Sequence, residues 1–413
     1  MTTDTAPDPE TPYSWLRLGA SLLLGSIGGV GMWSVVVVLP TVQAEFMADR
    51  GGASLSYTAT MIGFGVGGVL VGRLTDRFGV LLPMLAASTT LGLGYVAAGF
   101  APSLWMFAIA HGALIGLGAA ACFGPLMADI SHWFGRRRGI AVALVASGNY
   151  VAGTIWPGIV QHFVATEGWR ATHVGIGLFC LLAMPPLALV LRRKRPVLPV
   201  AAAGTPQPIG RSGDLRLSHG ALQALLMVAG VACCVAMSMP QVHIVAYCGD
   251  LGYGVARGAT MLSLMLGFGI VSRIGSGFIA DRIGGLSTVL LGSALQGIAL
   301  ALYLVSDGLT AIYVVSILFG LAQGGIIPSY AIVIREYFPP GEAGTRLGTV
   351  IMATVIGMAL GGWMSGAIFD HSGSYRLAFL NGVAWNVLNV VIAVWLLMRA
   401  RRDGARPSAA VPA

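Results

Sequence analysis

Arg273 is the residue of this 413-residue chain whose type and setting most clearly point to chemistry. It stands inside MLGFGIVSRIGSG (265–277), an apolar run rich in glycine. Eight positions separate it from Asp281, which is about 12 Å along a helix at about 1.5 Å per residue. In a helix crossing a hydrocarbon layer about 30 Å thick, the guanidinium then lies near the middle. An arginine there costs about 3 kcal/mol on insertion scales, so its presence calls for an explanation. One reading is a cavity cation that grips an anionic substrate, because its planar fork matches a carboxylate. The other is an arginine that reaches to the interface or bonds backbone carbonyls. None of the sixteen acids falls deep in an apolar run, and Asp129, Glu336 and Asp370 sit near ends. That makes the substrate's own charge the expected counter-ion, with the glycines at 267, 269, 275 and 277 leaving space around it.

Other polar side chains recur at depth. His111 lies a third of the way into the fourth apolar run, and His243 closes the seventh. Asn149 and Tyr150 fall at the middle of the fifth, Gln323 near the middle of the tenth, and Tyr330 one to two turns further on. Trp33, in the first, can wall a cavity or face lipid. Each is a candidate substrate contact, and each has the alternative role of bonding a neighbouring helix. No HExxH, no GxSxG near a partner histidine and no His/Asp pair occurs within the runs, so no catalytic residue, metal ligand or cofactor is expected. The chain also has no nucleotide-binding loop. The five cysteines lie in or at the ends of apolar stretches, and adjacent Cys233 and Cys234 have neither zinc nor redox spacing.

The elements that hold these residues follow from composition. Hydrophobic residues make up 56% and charged residues only 10%, too little charge to cover a soluble protein of this size. The apolar runs are about 20 residues long, the length of a membrane crossing. Twelve spans are predicted, at 18–39, 55–74, 80–100, 103–128, 139–163, 169–191, 218–243, 257–280, 286–305, 309–336, 346–369 and 376–399. Their abundant glycine suits close helix packing in lipid, and Pro125, Pro157, Pro185 and Pro328 suggest bends or breaks. The first run lacks a basic leader and a cleavage pattern, and is read as a retained span.

With both termini on one side, Arg50, Arg170, Arg257 and Arg376 fall on the opposite face. Setting these and Arg273 aside, the other 19 of 24 Lys and Arg residues fall on the terminal side. Positive residues stay cytoplasmic, so both termini are expected in the cytoplasm of a cell whose inner membrane the chain crosses. The net charge of +8 then reports topology and anionic lipid, and no nucleic-acid partner is expected. The organisation read from the sequence is a cytoplasmic tail at 1–17, a six-helix half at 18–191, a linker at 192–217, a second half at 218–399 and a tail at 400–413.

The halves repeat. Gly72-Arg-Leu-Thr-Asp76-Arg77-Phe-Gly79 matches Gly277-Phe-Ile-Ala-Asp281-Arg282-Ile-Gly284 at an offset of 205. Trp133-Phe134 matches Tyr337-Phe338, and Gly168-Trp169-Arg170 matches Ser374-Tyr375-Arg376, within one residue of that offset. Each landmark recurs with the same membrane orientation, which describes a parallel repeat with a cavity expected between the halves near the midplane. Asp76 and Asp281 can cap a helix N-terminus or pair with arginine, and with Arg77 and Arg282 they are candidates for a cytoplasmic latch.

These features resemble the major facilitator superfamily over nearly the whole chain, most specifically in the G-x-[LI]-x-D-R-x-G loops. Within it the chain is similar to the monocarboxylate transporters and their bacterial branch near oxalate/formate antiporters. Trp133-Phe-Gly-Arg-Arg-Arg-Gly-Ile-Ala-Val-Ala-Leu-Val-Ala-Ser-Gly148-Asn149 carries this resemblance, with His243 to Gly252, Arg273 to Asp281 and Phe369 to Tyr375 in support. The acidic start of the family's first-span motif is absent, and only Gly28-Gly29-Val30-Gly31-Met32-Trp33 is present.

The resemblance implies an all-α membrane protein of two pseudo-symmetric six-helix bundles, working as a monomer by alternating access. It places the substrate-binding arginine at Arg273. The aspartate that proton-coupled members carry four residues earlier is here Gly269, which puts that route of coupling in doubt and leaves proton symport and anion exchange open. Oxalate-type members carry a second cation in the eleventh span, and this chain has none between Arg346 and Arg376. One cation favours a monocarboxylate such as lactate or pyruvate over a dicarboxylate. The alternatives are a dicarboxylate or formate-type antiporter and export of apolar compounds, and the latter predicts a mid-membrane acid that the sequence does not supply.

Overall fold

The computed structural model describes residues 10–134, 137–193, 217–339 and 342–404, and among these no strand occurs. The chain termini, Gly135, Arg136 and most of the predicted linker lie outside the described residues. Among the described residues, eleven helical stretches are long and apolar enough to cross a membrane. In order they are α1 (Pro12–Glu45), α2 (Arg50–Phe78), α3 (Leu81–Gly99), α4 (Leu104–Ile130), α5 (Arg138–Arg192), α6 (His219–Asp250), α7 (Val255–Ile283), α8 (Gly285–Val305), α9 (Leu309–Tyr337), α10 (Ala343–Ser372) and α11 (Tyr375–Arg401).

The number is eleven rather than twelve because α5 contains two spans. Its 55 residues extend about 82 Å at 1.5 Å per residue, more than twice the hydrocarbon thickness. Gly168 interrupts it with φ 81° and ψ 161°, a conformation open to glycine and costly for other residues. The fifth and sixth predicted spans lie on either side of this glycine. Five helices, α1, α2, α6, α7 and α10, overrun the predicted spans by several residues, because polar end turns continue the helix beyond the apolar run.

Two helices are broken inside the apolar region. In α4, a π-helical stretch, Ala110–Gly116, is followed by a break at Cys122 and Phe123, where Phe123 takes φ −123° and ψ −86°. In α9 the helix stops at Gln323 and restarts at Ile326. Pro125 and Pro328 each fall in the first turn after their break, where a missing N–H costs nothing. Pro157 and Pro185, by contrast, sit inside continuous helix.

The described chain forms two compact units. The first draws on the described residues of Met1–Thr205, Pro240–Gly267 and Gly362–Ala378, and the second on those of Pro206–Met239, Phe268–Gly361 and Phe379–Ala413. In the first, α2 and α4 touch backbone to backbone: a Cβ on Gly63 would lie 1.9 Å from the Gly112 carbonyl oxygen. In the second, α7 and α9 do the same, and a Cβ on Gly324 would lie 2.2 Å from the Gly269 oxygen. Small residues permit this approach, and dispersion between the backbones replaces the hydrophobic drive that lipid cannot supply.

Candidate functional site

In the second unit, α7 carries Arg273, half-buried, eighteen residues after Val255 and ten before Ile283. The break in α9 presses against the same stretch of α7. Gly324 meets Gly269 and Ser272, and Gly325 meets Ser276. Around Gly275 and Gly277 nothing lies within 4 Å of a built Cβ, so the expected open space exists there, whereas the Gly269 side is filled by α9. A groove of about 240 Å³ is lined by Ser272, Ser276, Thr288 and Gly325 among others. Gln323 is buried at the end of the first segment of α9. Tyr330 is buried in the next segment and donates its hydroxyl to Asn389 Oδ1 at 3.1 Å, while Asn389 Nδ2 donates to Ser293 Oγ at 2.7 Å. Its phenol therefore ties α9 to α11 and α8.

In the first unit, Trp33 is buried and its indole N–H donates to the Asn149 backbone oxygen at 3.2 Å and to its side-chain oxygen at 3.3 Å. That excludes the lipid-facing reading. Asn149 also borders a small cavity of about 10 Å³ with Gly25, Gly29, Met32, Phe64 and Phe123, room for about one water. Tyr150 is buried beside it in sequence, and its carbonyl accepts the Thr154 hydroxyl at 2.7 Å. Trp33 and Asn149 are thus brought together where α1 meets α5.

The histidines go elsewhere. His111 is fully buried with its Nε2 3.4 Å from Nε2 of His173, inside a cage of Tyr95, Phe107 and Trp169. His243 has both ring nitrogens engaged, by the Tyr375 hydroxyl at 3.0 Å and the Gly362 carbonyl at 2.8 Å. Because a carbonyl only accepts, Nε2 of His243 carries the proton and Nδ1 receives the tyrosine's.

That histidine belongs to a cluster the sequence reading did not assemble. Arg50, at the start of α2, donates from Nη1 to Asp250 at 2.8 Å and to the Tyr375 hydroxyl at 2.7 Å, and from Nη2 to Asp250 at 3.2 Å. Its guanidinium lies 4.4 Å from the Phe369 ring centre. The Asp370 carboxylate accepts from the backbone N–H groups of Arg50 and Gly51 at 2.8 and 2.6 Å, an anion on a helix N-terminus. The two stretches singled out in the sequence, 243–252 and 369–375, therefore meet around one arginine of the first repeat. The available signal was Asp250 and Asp370, acids at the ends of apolar runs.

A second missed pair lies at the other end of the first unit. Arg17 grips Asp129 with Nε and Nη2 at 2.7 and 2.9 Å, both side chains 1% exposed. Arg17 also donates to the Leu191 carbonyl at 3.1 Å and lies 4.4 Å from the Trp133 ring centre. The candidate latch residues Asp76, Arg77, Asp281 and Arg282 are exposed, in the last turns of α2 and α7. The N-terminus of α8 is served instead by Glu336, whose carboxylate accepts from Gly285 N at 3.0 Å.

Comparison with known proteins agrees with this architecture. The family profile described as Major Facilitator Superfamily matches residues 21–311 and again 276–412. "Monocarboxylate transporter 13" of Bos taurus is 27% identical over 390 residues, spanning 91% of this chain and 87% of that protein. An "Agnestins efflux protein" of Paecilomyces divaricatus is 23% identical over 387 residues, spanning 92% and 87%. Among solved structures, a bacterial homolog of the human lysosomal transporter Spinster superposes with a TM-score of 0.74 at 15% identity, over 97% of this chain and all of that one.

Proposed function

This chain belongs to the Major Facilitator Superfamily, and we propose that it carries a small organic monoanion across the cell's inner membrane by alternating access. It is a multi-pass membrane transporter by family, and the nature of its cargo rests on one observation: Arg273. A half-buried arginine deep in an apolar helix, with open glycine positions beside it, is a ready partner for a carboxylate. A single such cation suits one carboxylate, as in lactate or pyruvate, better than two. In this reading Gln323 meets another polar group of the substrate from the second unit, and Asn149 and Tyr150 are candidate contacts on the first, while both termini face the cytoplasm and the Asp76–Arg77 and Asp281–Arg282 helix ends are the latch candidates on that side. The relative named monocarboxylate transporter 13 supports the substrate class.

Uptake of labelled lactate into proteoliposomes tests this, comparing wild type with Arg273→Ala and Arg273→Lys. A charge-assisted bond contributes about 1.5 to 3 kcal/mol, so Arg273→Ala is expected to weaken uptake about tenfold or more. Arg273→Lys keeps the charge, loses the fork and falls between. Undiminished uptake by Arg273→Ala would sink the proposal.

A second reading, efflux of apolar compounds, is favoured by the efflux relative and by a cavity of about 410 Å³ lined by Trp156, Phe163, Ile176 and Phe179 in the first unit. It predicts movement of an apolar dye and indifference to lactate.

A further inference from the structure

We propose that His111 and His173 together form a binding site for one proton inside the first unit, and that this pair couples anion transport to proton movement. The coupling half of the inference rests on the proposed function, whereas the proton site stands on geometry alone.

The donors and acceptors can be counted. His173 Nδ1 lies 2.9 Å from the Trp169 carbonyl oxygen, which can only accept, so Nδ1 carries a proton. In a neutral ring the other nitrogen, Nε2, is then an acceptor. It lies 3.4 Å from His111 Nε2, which must therefore be the donor. That leaves His111 Nδ1 as a bare acceptor, 3.4 Å from the Thr60 hydroxyl oxygen. The Thr60 hydroxyl has one hydrogen, and Ser56 O, 2.8 Å away, competes for it. The neutral pair thus has one acceptor more than its donors can serve. A proton on His111 Nδ1 removes the conflict, because Nδ1–H then donates to Thr60 Oγ1 while Thr60 donates to Ser56. Every group in the chain from Ser56 to Trp169 is then served. A second proton has no place, because His173 Nε2 already receives the N–H of His111. The two 3.4 Å contacts on the His111 ring are longer than an ordinary hydrogen bond and are those a positive charge would shorten.

A second observation concerns the backbone. His111 sits in the seven-residue π-helix Ala110–Gly116, a geometry that is rare and concentrates at functional positions. Gly116 of that stretch packs so tightly that a Cβ there would lie 2.4 Å from the carbonyl oxygen of Thr60. Thr60 is therefore held on one side by the π-helix backbone and faces His111 with its hydroxyl. A change in that hydrogen bond acts directly on the α2–α4 contact.

The surroundings contain few other charges. From α3 comes Tyr95, whose hydroxyl shares a 2.6 Å bond with Ser34 of α1 and interacts with Cys180 of α5. On α5, Trp169 donates its indole N–H to Glu45 of α1, and Glu45 is paired with Arg170 at 2.7 Å. Thr60 is the group that faces the pair from α2. The Glu45 carboxylate thus reaches the pair through Trp169 and is already balanced by an arginine.

Two measurements decide the matter. The first uses the wild-type full chain in nanodiscs without substrate, its histidine side chains labelled with ¹⁵N. Between about pH 8 and about pH 3, a range carried below the ordinary one because burial disfavours a charged ring, the pair is expected to take up one proton, seen as conversion of His111 Nδ1 to its protonated signal. Unchanged signals from both rings down to the lower pH would overturn the site. The second compares lactate transport by wild type, His111→Gln and His173→Gln. Each variant is expected to lose uptake driven by an inward proton gradient while keeping lactate–lactate exchange, which shows that it is folded. Gradient-driven uptake equal to wild type in either variant overturns the coupling. If a variant fails in exchange too, the wild-type titration still decides the site, and uptake by wild type in an imposed gradient of either sign decides the coupling. If wild type moves no lactate, the proposed function falls and the coupling falls with it, while the titration alone decides whether the proton site exists.

Discussion

Arg17 and Asp129 lie 112 residues apart in sequence and form a buried, two-pronged ion pair. At the residue scale this pair shows what one-dimensional reading misses. Arg17 falls just outside the predicted first span, where it counts as one more cytoplasmic charge, and Asp129 reads as an acid near an end. Nothing in the spacing says that they meet. Once buried, the pair is stable only as a pair: removing one partner leaves a charge without its counter-ion, at a cost of about 3 to 5 kcal/mol. Asp129→Ala is therefore expected to lower the midpoint of thermal unfolding in detergent markedly. Arg17→Met with Asp129→Leu, which removes both charges and keeps the volume, should recover much of the loss. Thermal unfolding followed by tryptophan emission checks both. A double variant no better than Asp129→Ala would show that the other Arg17 contacts, to Leu191 and Trp133, carry the stabilisation.

At the scale of elements, glycine contacts set where the helices cross. Gly324 and Gly68 look alike in sequence, each in a small-residue run within a span, yet a Cβ at Gly324 would lie 2.2 Å from a backbone oxygen and one at Gly68 would meet nothing within 4 Å. Gly324→Ala is expected to push α9 from α7 beside Arg273 and cut lactate uptake severalfold, with Gly68→Ala close to wild type at equal protein load. Equal uptake by the two would mean that the α7–α9 approach is not what positions Arg273. This contrast also marks how far the elements were legible. Hydropathy placed every span, because crossing a fixed thickness of hydrocarbon demands a fixed length. Gly168 was visible as a repeat landmark, and its left-handed φ gives the physical reason for it. Whether a given glycine meets a neighbour depends on the rotation of each helix about its axis, which neither length nor composition records. For the same reason Arg273 could be placed at depth, but the Trp33–Asn149 bond and the His111–His173 pair could not be read.

At the scale of the whole molecule, the repeat and the compact units do not share boundaries. Residues 240–267 and 362–378 belong to the second repeat in sequence and to the first unit in space. The Arg50 cluster supplies a physical cause. It joins α2 of the first repeat to Asp250, Asp370 and Tyr375 of the second through five hydrogen bonds from charged groups or to them, and through Phe369 packed on the guanidinium. Such bonds are stronger than neutral ones, and their partial burial shields them from solvent. The proposed alternating access requires contacts between the two repeats to break in each cycle, so in that proposal the cluster is strong enough to hold one state and no stronger. Arg50→Ala removes the guanidinium that Asp250, Tyr375 and Phe369 share, while Asp370 keeps the backbone N–H groups of residues 50 and 51. Hydrogen exchange in nanodiscs is expected to rise in 240–252 and 366–376, the segments tied to Arg50, and to stay at the wild-type level in α8, which lies in the other unit. Arg50→Lys should give a smaller rise, since an ammonium keeps the charge but cannot bridge Asp250 and Tyr375 with a planar fork. Unchanged exchange at 240–252 and 366–376 in Arg50→Ala would show that apolar packing alone, around His243, Tyr247 and Tyr375, holds these segments in the first unit.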